Sequence, residues 1–223
     1  MDQLLAKYLG LTDYSASMAL QSRLHTRVVF RDIPDVLLFL EHPHVFTLGR
    51  NAQCKDVLVT PGQLSQLGVQ VHRTGRGGQV TYHGPGQLVG YPIIDLRRWG
   101  GGPVKYVRLL EDVIVSTLAE FGISAGKDEK PTGVWVGDSK IAAIGVKVSK
   151  NVTTHGFSLN VAPDLSYYDH IVSCGMPGAN VTSIACHKPD ISDVNLVIPV
   201  LAYHFGQTFG RTLDWSSLKN LQA

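Results

Sequence analysis

Cys174, Lys140 and a glycine-rich run decide which chemistry this chain can support. Cys174 stands in Ile171-Val172-Ser173-Cys174-Gly175-Met176-Pro177-Gly178, a turn flanked by glycines where a substrate carbonyl can approach a thiol. Lys140 follows the polar turn Gly137-Asp138-Ser139 and precedes Ala142-Ala143-Ile144-Gly145, a run small enough for its backbone to line a narrow tunnel. A lysine after such a turn is usually just solvated; the small apolar run is what marks this one. A cysteine beside a lysine suggests acyl transfer, with the ammonium stabilising the thiolate. A cysteine beside His83 or His155 suggests a hydrolase. Cys186 follows the apolar Ile184-Ala185 and reads as a small buried hydrophobe, and Cys54 lies in a polar loop with no catalytic context.

The glycine-rich run is Arg76-Gly77-Gly78-Gln79-Val80-Thr81-Tyr82-His83-Gly84-Pro85-Gly86-Gln87. An isolated Gly-Gly pair is ordinary turn punctuation. Here the glycines alternate with Arg, Gln, Thr, Tyr and His, so the backbone can approach a ligand closely while side chains bind it. His42 and His44 straddle Pro43 without the i, i+4 spacing of helical metal ligands, and they read as a strand-end turn.

The elements that must hold these groups follow from periodicity. Asp13 can cap a short helix carrying Tyr14, Met18 and Leu24. Val36 to Leu40 and Leu88 to Leu96 read as apolar strands. Val107, Leu110, Ile114, Leu118 and Phe121 make one stripe of a helix from about Val104 to Phe121, ended by Gly122. Val134–Val136 and Ile141–Val148 form the arms of a hairpin, and His155–Leu159 is a further strand. A last helix runs from near Ser192 towards Phe209, with Val194, Ile198, Leu201 and Phe205 inward; Pro199 either kinks it or marks its start. Hairpins mixed with segregated helices favour an α+β fold over a doubly wound one. No linker divides the chain, so residues 1–223 read as a single domain.

The totals exclude several classes. The 223 residues are 44% hydrophobic with a net charge of +2, ordinary for a globular chain and too weakly basic to argue for nucleic acid. No apolar run reaches about 18 residues, so no membrane span is expected, and Met1 to Lys7 lacks the pattern of a signal peptide. Three cysteines without CxxC spacing point to a reduced, cytoplasmic setting rather than a disulfide framework or zinc site. No metal or nucleotide motif stands out, and no cofactor is expected.

The Arg76–Gln87 run resembles the signature of lipoyl(octanoyl) transferases. So do Lys140-Ile141-Ala142-Ala143-Ile144-Gly145, Thr154-His155-Gly156-Phe157-Ser158-Leu159-Asn160 and the Cys174-Gly175 turn. The resemblance extends from about Tyr8 to Phe209. It implies transfer of an octanoyl group from octanoyl-acyl carrier protein to the lysine of a lipoyl domain, by way of a cysteine thioester. By position, it makes Cys174 the nucleophile and Lys140 the group that lowers its pKa and manages protons. It makes Arg76, Gly77, Gly78, Gln79, Val80, Thr81, Tyr82, His83, Ala143, Ile144, Gly145, Gly156, Phe157 and Ser158 the acyl site. It also implies a mixed sheet with packed helices, similar to the catalytic domain of biotin and lipoate protein ligases.

Further expectations follow from that resemblance. His83 competes with Lys140 as the base for the acceptor's proton. Small residues at 142–145 and 156 keep the groove open, so Gly145→Phe blocks loading while preserving the fold. Arg50, Arg73, Arg76, Lys147 and Lys150 supply a basic rim for an acidic carrier. The competing readings are an ATP-dependent lipoate- or biotin-type ligase, a Cys174/His hydrolase, and an acyl-binding module without turnover.

Overall fold

The computed structural model describes residues 2–98, 101–127, 131–173 and 180–216. The chain runs β1 (Asp2–Leu11), α1 (Tyr14–Val29), β2 (Asp35–Glu41), β3 (Val45–Leu48), α2 (Pro61–Gln66), β4 (Gln70–Arg73), β5 (Val80–His83) and β6 (Gln87–Ile93). It continues with α3 (Pro103–Glu120), β7 (Val134–Val136), β8 (Ser139–Ser149), β9 (Val152–Asn160), α4 (Ile184–His187), α5 (Val194–Phe209) and β10 (Arg211–Asp214). Seven strands form one mixed sheet in the order β10-β1-β2-β6-β9-β8-β7, and β4-β3-β5 form a second, smaller one.

The apolar run of β2 is buried throughout because both faces of the large sheet are covered. Alternate side chains face opposite ways along a strand. Leu37 and Phe39 therefore pack with Leu110, Ile114, Leu201 and Phe205 of α3 and α5, while Val36, Leu38 and Leu40 pack with Leu24 and Val28 of α1. Burying each such side chain fully is worth about 1.5–3 kcal/mol. Asp13 caps α1 through a 3.0 Å bond to the Ala16 N–H. Helix α5 is capped by Asp193 and contains Pro199 in its interior, so that proline does not mark the start.

The small sheet is where the sequence reading fell short. Val80 to His83 belong by sequence to the glycine-rich run, yet they form β5, paired antiparallel to β3 from Val45↔His83 to Leu48↔Val80. β-Branched and aromatic residues suit a pleated surface, and their pairing outweighs the flanking glycines. Cys186 is exposed rather than buried. In the single turn of α4, Ile184 faces inward, and a residue two positions on points about 200° away at 3.6 residues per turn.

Candidate active site

A cavity of about 230 Å³ lies where β8 and β9 meet β5 and the loop before it. Arg76, Gly78, Gln79, Val80, Thr81 and His83 line one side, Lys140, Ala143, Ile144 and Gly145 another, and Gly156, Phe157 and Ser158 a third. Gly77 and Tyr82 do not face it. Gly77 ties the loop to β8 through its N–H and the Val146 carbonyl, 2.9 Å apart. Tyr82 is rotated to the other side of β5, where its hydroxyl lies 2.9 Å from His44 Nδ1 and its ring stacks on Tyr167. Cys174 lies outside the described residues.

Lys140 is 6% exposed rather than solvated. Its Nζ donates to Thr132 O at 2.8 Å and sits 5.3 Å from the centre of the Trp135 ring. The main chain at Lys140 is held as firmly: its N–H donates to Asn180 O at 2.9 Å, and its carbonyl accepts the Thr182 N–H at 3.0 Å. A small annex beside the cavity is bounded by Thr81, Lys140, Ala143 and Ser173, among others. Thr81 Oγ1 is buried there with no hydrogen-bond partner among the described residues.

Arg76 is 7% exposed, so it belongs to the cavity and not to a basic rim; Arg50, Arg73, Lys147 and Lys150 are exposed. Its guanidinium donates to Thr47 Oγ1 at 2.8 Å and to Gly77 O at 3.0 Å. Those bonds hold the loop against β3. The small residues have a different role from simple widening. A Cβ at Gly145 would lie 3.1 Å from both Arg76 Cδ and Gly77 O, and one at Gly156 would overlap the Gly90 carbonyl. Both glycines permit close chain approach, so a Phe at 145 would displace Arg76 and its loop as well as fill the groove.

The imidazoles are neutral. Burial, aided by His42, pushes His83 down to about 3; burial, with Arg76 and Lys147 nearby, pushes His155 down to about 4. Burial lowers His42 to about 4 as well. His83 Nδ1 lies 2.7 Å from Gln87 Oε1, whose amide NH₂ donates to Asn160 Oδ1 at 2.9 Å. An acceptor at Nδ1 makes that nitrogen the protonated one and leaves Nε2 as the free base. With so low a pKa it is a poor base for an ammonium near pKa 10.4.

The sequence reading missed Tyr14, Tyr91, Pro131 and Thr132, all in the cavity wall. Tyr14 and Tyr91 look like ordinary core positions of a helix and a strand. Gln87 and Asn160 were legible as polar members of the motifs that carry the site. Among the described residues no cluster suited to a metal ion occurs, and no helix is long and apolar enough to cross a membrane.

The catalytic domain of lipoyl protein ligases A and B matches residues 13–206. An octanoyltransferase of Solibacter usitatus is 46% identical over 212 residues, covering 95% of this chain and 94% of its own. That of Gloeobacter violaceus is 48% identical over 202 residues, covering 90% and 88%. Among solved structures, a lipoate-protein ligase A bound with ATP superimposes with a TM-score of 0.77 at 17% identity, covering 99% of this chain and 90% of its own. Biotin protein ligase from Aquifex aeolicus gives 0.53 at 11%, covering 94% and 69%. These distant structures share the fold, an α+β domain with a mixed sheet, while the close relatives decide the family: the chain belongs to the octanoyltransferases of the lipoyl protein ligase A/B catalytic-domain family.

Proposed function

We propose that residues 1–223 act as one catalytic domain, in the cytoplasm, that moves an octanoyl group from octanoyl-acyl carrier protein to a lysine of a lipoyl domain, through a thioester on Cys174. The observation that carries this reading is buried Lys140 in the wall of a cavity, and also of an annex that Ser173 bounds. Ser173 directly precedes Cys174 in the sequence. The cavity is smaller than the roughly 300–1,000 Å³ of drug-sized sites, in keeping with a medium acyl chain.

An unperturbed thiol with pKa about 8.5 is only a few per cent thiolate at pH 7, and a cation about 4–6 Å away shifts it towards thiolate. Lys140 supplies that cation. The Cys174 thiolate attacks the donor thioester, the Thr81 hydroxyl donates to the developing oxyanion, and the carrier's thiolate leaves with a proton from Lys140. Lys140, now neutral, takes a proton from the acceptor ammonium. The freed amine displaces Cys174 as thiolate to give the amide, and a second proton goes to solvent. Arg50, Arg73, Lys147 and Lys150 meet the acidic carrier at the exposed surface, so transfer slows as ionic strength rises.

Intact-protein mass spectrometry tests this. Wild type and Cys174→Ser are mixed with octanoyl-carrier protein without ATP. An octanoyl adduct on the wild type, removed by hydroxylamine and missing from the variant, is the expected result. No adduct on the wild type, with activity only when ATP is added, moves the reading to a ligase.

A further inference from the structure

Glu111, fully buried on α3, has no part in the chemistry above. Its Oε2 accepts from Arg108 Nη1 at 2.8 Å, and its Oε1 accepts the Gly133 N–H at 3.0 Å. The carbonyl of that same peptide unit, Thr132 O, accepts from Lys140 Nζ at 2.8 Å. A peptide unit is planar and stiff, so pinning its N–H fixes the direction of its C=O. The carboxylate and the ammonium polarise the unit in the same sense, which strengthens both bonds.

Gly133 completes the arrangement. Its φ is +136°, a conformation that side chains rarely adopt, and an added Cβ would overlap Lys140 Cε and lie 2.9 Å from Nζ. Packing alone does not ask for a carboxylate here, since an apolar side chain of similar size avoids the cost of burying a charge.

We infer that Glu111 is a positioning residue for Lys140, acting through the Thr132–Gly133 peptide to hold the ammonium at the cavity wall. The inference rests on the reading of Lys140 as the activator of Cys174, and it names what holds that activator in place. Removing the carboxylate's charge weakens the grip of Thr132 O on the ammonium and so reduces the thiolate fraction of Cys174.

The test follows alkylation of Cys174 by iodoacetamide against pH, read by peptide mass spectrometry on the full chain, beside the rate and donor KM of octanoyl loading. Lys140→Met is expected to raise the alkylation midpoint towards the free-thiol value of about 8.5. Glu111→Gln is expected to raise it by about one unit, a loss of thiolate at neutral pH of roughly threefold and at most tenfold. The loading rate falls in step while the donor KM is unchanged. Glu111→Asp, which keeps the charge, returns the midpoint part of the way.

A shifted midpoint in Lys140→Met with an unshifted one in Glu111→Gln overturns the inference and leaves the activator reading intact. No shift in Lys140→Met sinks that reading itself. Should Glu111→Gln fail to fold, Glu111→Asp is read in its place: a midpoint raised part of the way supports the inference, and a wild-type midpoint overturns it.

Discussion

The two ends of the cavity are built differently. At one end main-chain groups hold Lys140, Thr132 O on its ammonium and Asn180 O and Thr182 N–H on its backbone, with the Trp135 ring beside it. At the other, side chains hold one another. Tyr14 stacks on His83 with ring centres 6.4 Å apart, and His42 Nε2 lies 2.8 Å from the Tyr91 hydroxyl. Arg76 is a cation at this far end too, but its donors are engaged by Thr47 and Gly77. Burial keeps the neighbouring imidazoles uncharged. Both ends therefore hold a buried cation, and what separates them is what each cation is tied to: one to the Thr132 carbonyl, the other to the loop that shapes the wall.

The largest effect is expected at the Lys140 end. Lys140→Met removes the stabilising charge and the proton carrier together, and octanoyl loading should fall about 10³-fold, within the range of general acid–base contributions. The mass of loaded enzyme against time reads this directly. Loading within a few-fold of wild type would erase the contrast between the ends.

Thr81 sharpens the same boundary. Its buried hydroxyl has no partner among the described residues, an unusual feature, since nearly all buried polar atoms are bonded. As an oxyanion donor it should be worth about 10² in kcat. Thr81→Val keeps the shape of the strand, so a drop in kcat with an unchanged unfolding midpoint is the expected pattern. Normal kcat would return Thr81 to the role of a wall residue.

The far end answers to pH instead. His42, His83 and His155 are held at about 3 to 4 in the folded chain, against about 6.5 unfolded. The unfolded chain thus binds more protons in acid. The stability they contribute is whole above about pH 6.5 and is lost as pH falls towards 4. At pH 5 each such histidine costs on the order of 2 kcal/mol. Urea unfolding at pH 7 and pH 5 should show the fall, and His83→Gln should flatten it. A pH-independent midpoint in the wild type would mean these imidazoles are not held neutral.

How far the sequence reached follows the same division. The apolar stripe of α3 and the buried run of β2 were readable because each obeys a single period that packing then uses. The Lys140 end was readable because glycine, lysine and small apolar residues sit in one local run. The far end was not: Tyr14 and Tyr91 lie on buried faces where an aromatic usually means core, and only the meeting of α1 with β6 turns them to a cavity. Arg76 was misread as a rim residue because a loop arginine is normally exposed; its burial depends on Thr47, distant in sequence. Glu111 carried no local signal at all, since its partner Gly133 is contributed by a different element.

The finest division between the ends is kinetic. Tyr91→Phe removes one hydroxyl from the far end and leaves His42 Nε2 without that partner. An unmade buried hydrogen bond costs about 1–3 kcal/mol of stability, which urea unfolding would register. Under the proposed placement the acyl chain meets this wall equally in the ground and transition states, so the loss there is uniform binding. Uniform binding changes KM and leaves kcat alone. A rise of about fivefold in the donor KM, with kcat within twofold of wild type, is the expected result. A fall in kcat instead would mean that the aromatic end shapes the transition state, and the two ends would have to be treated as one catalytic unit.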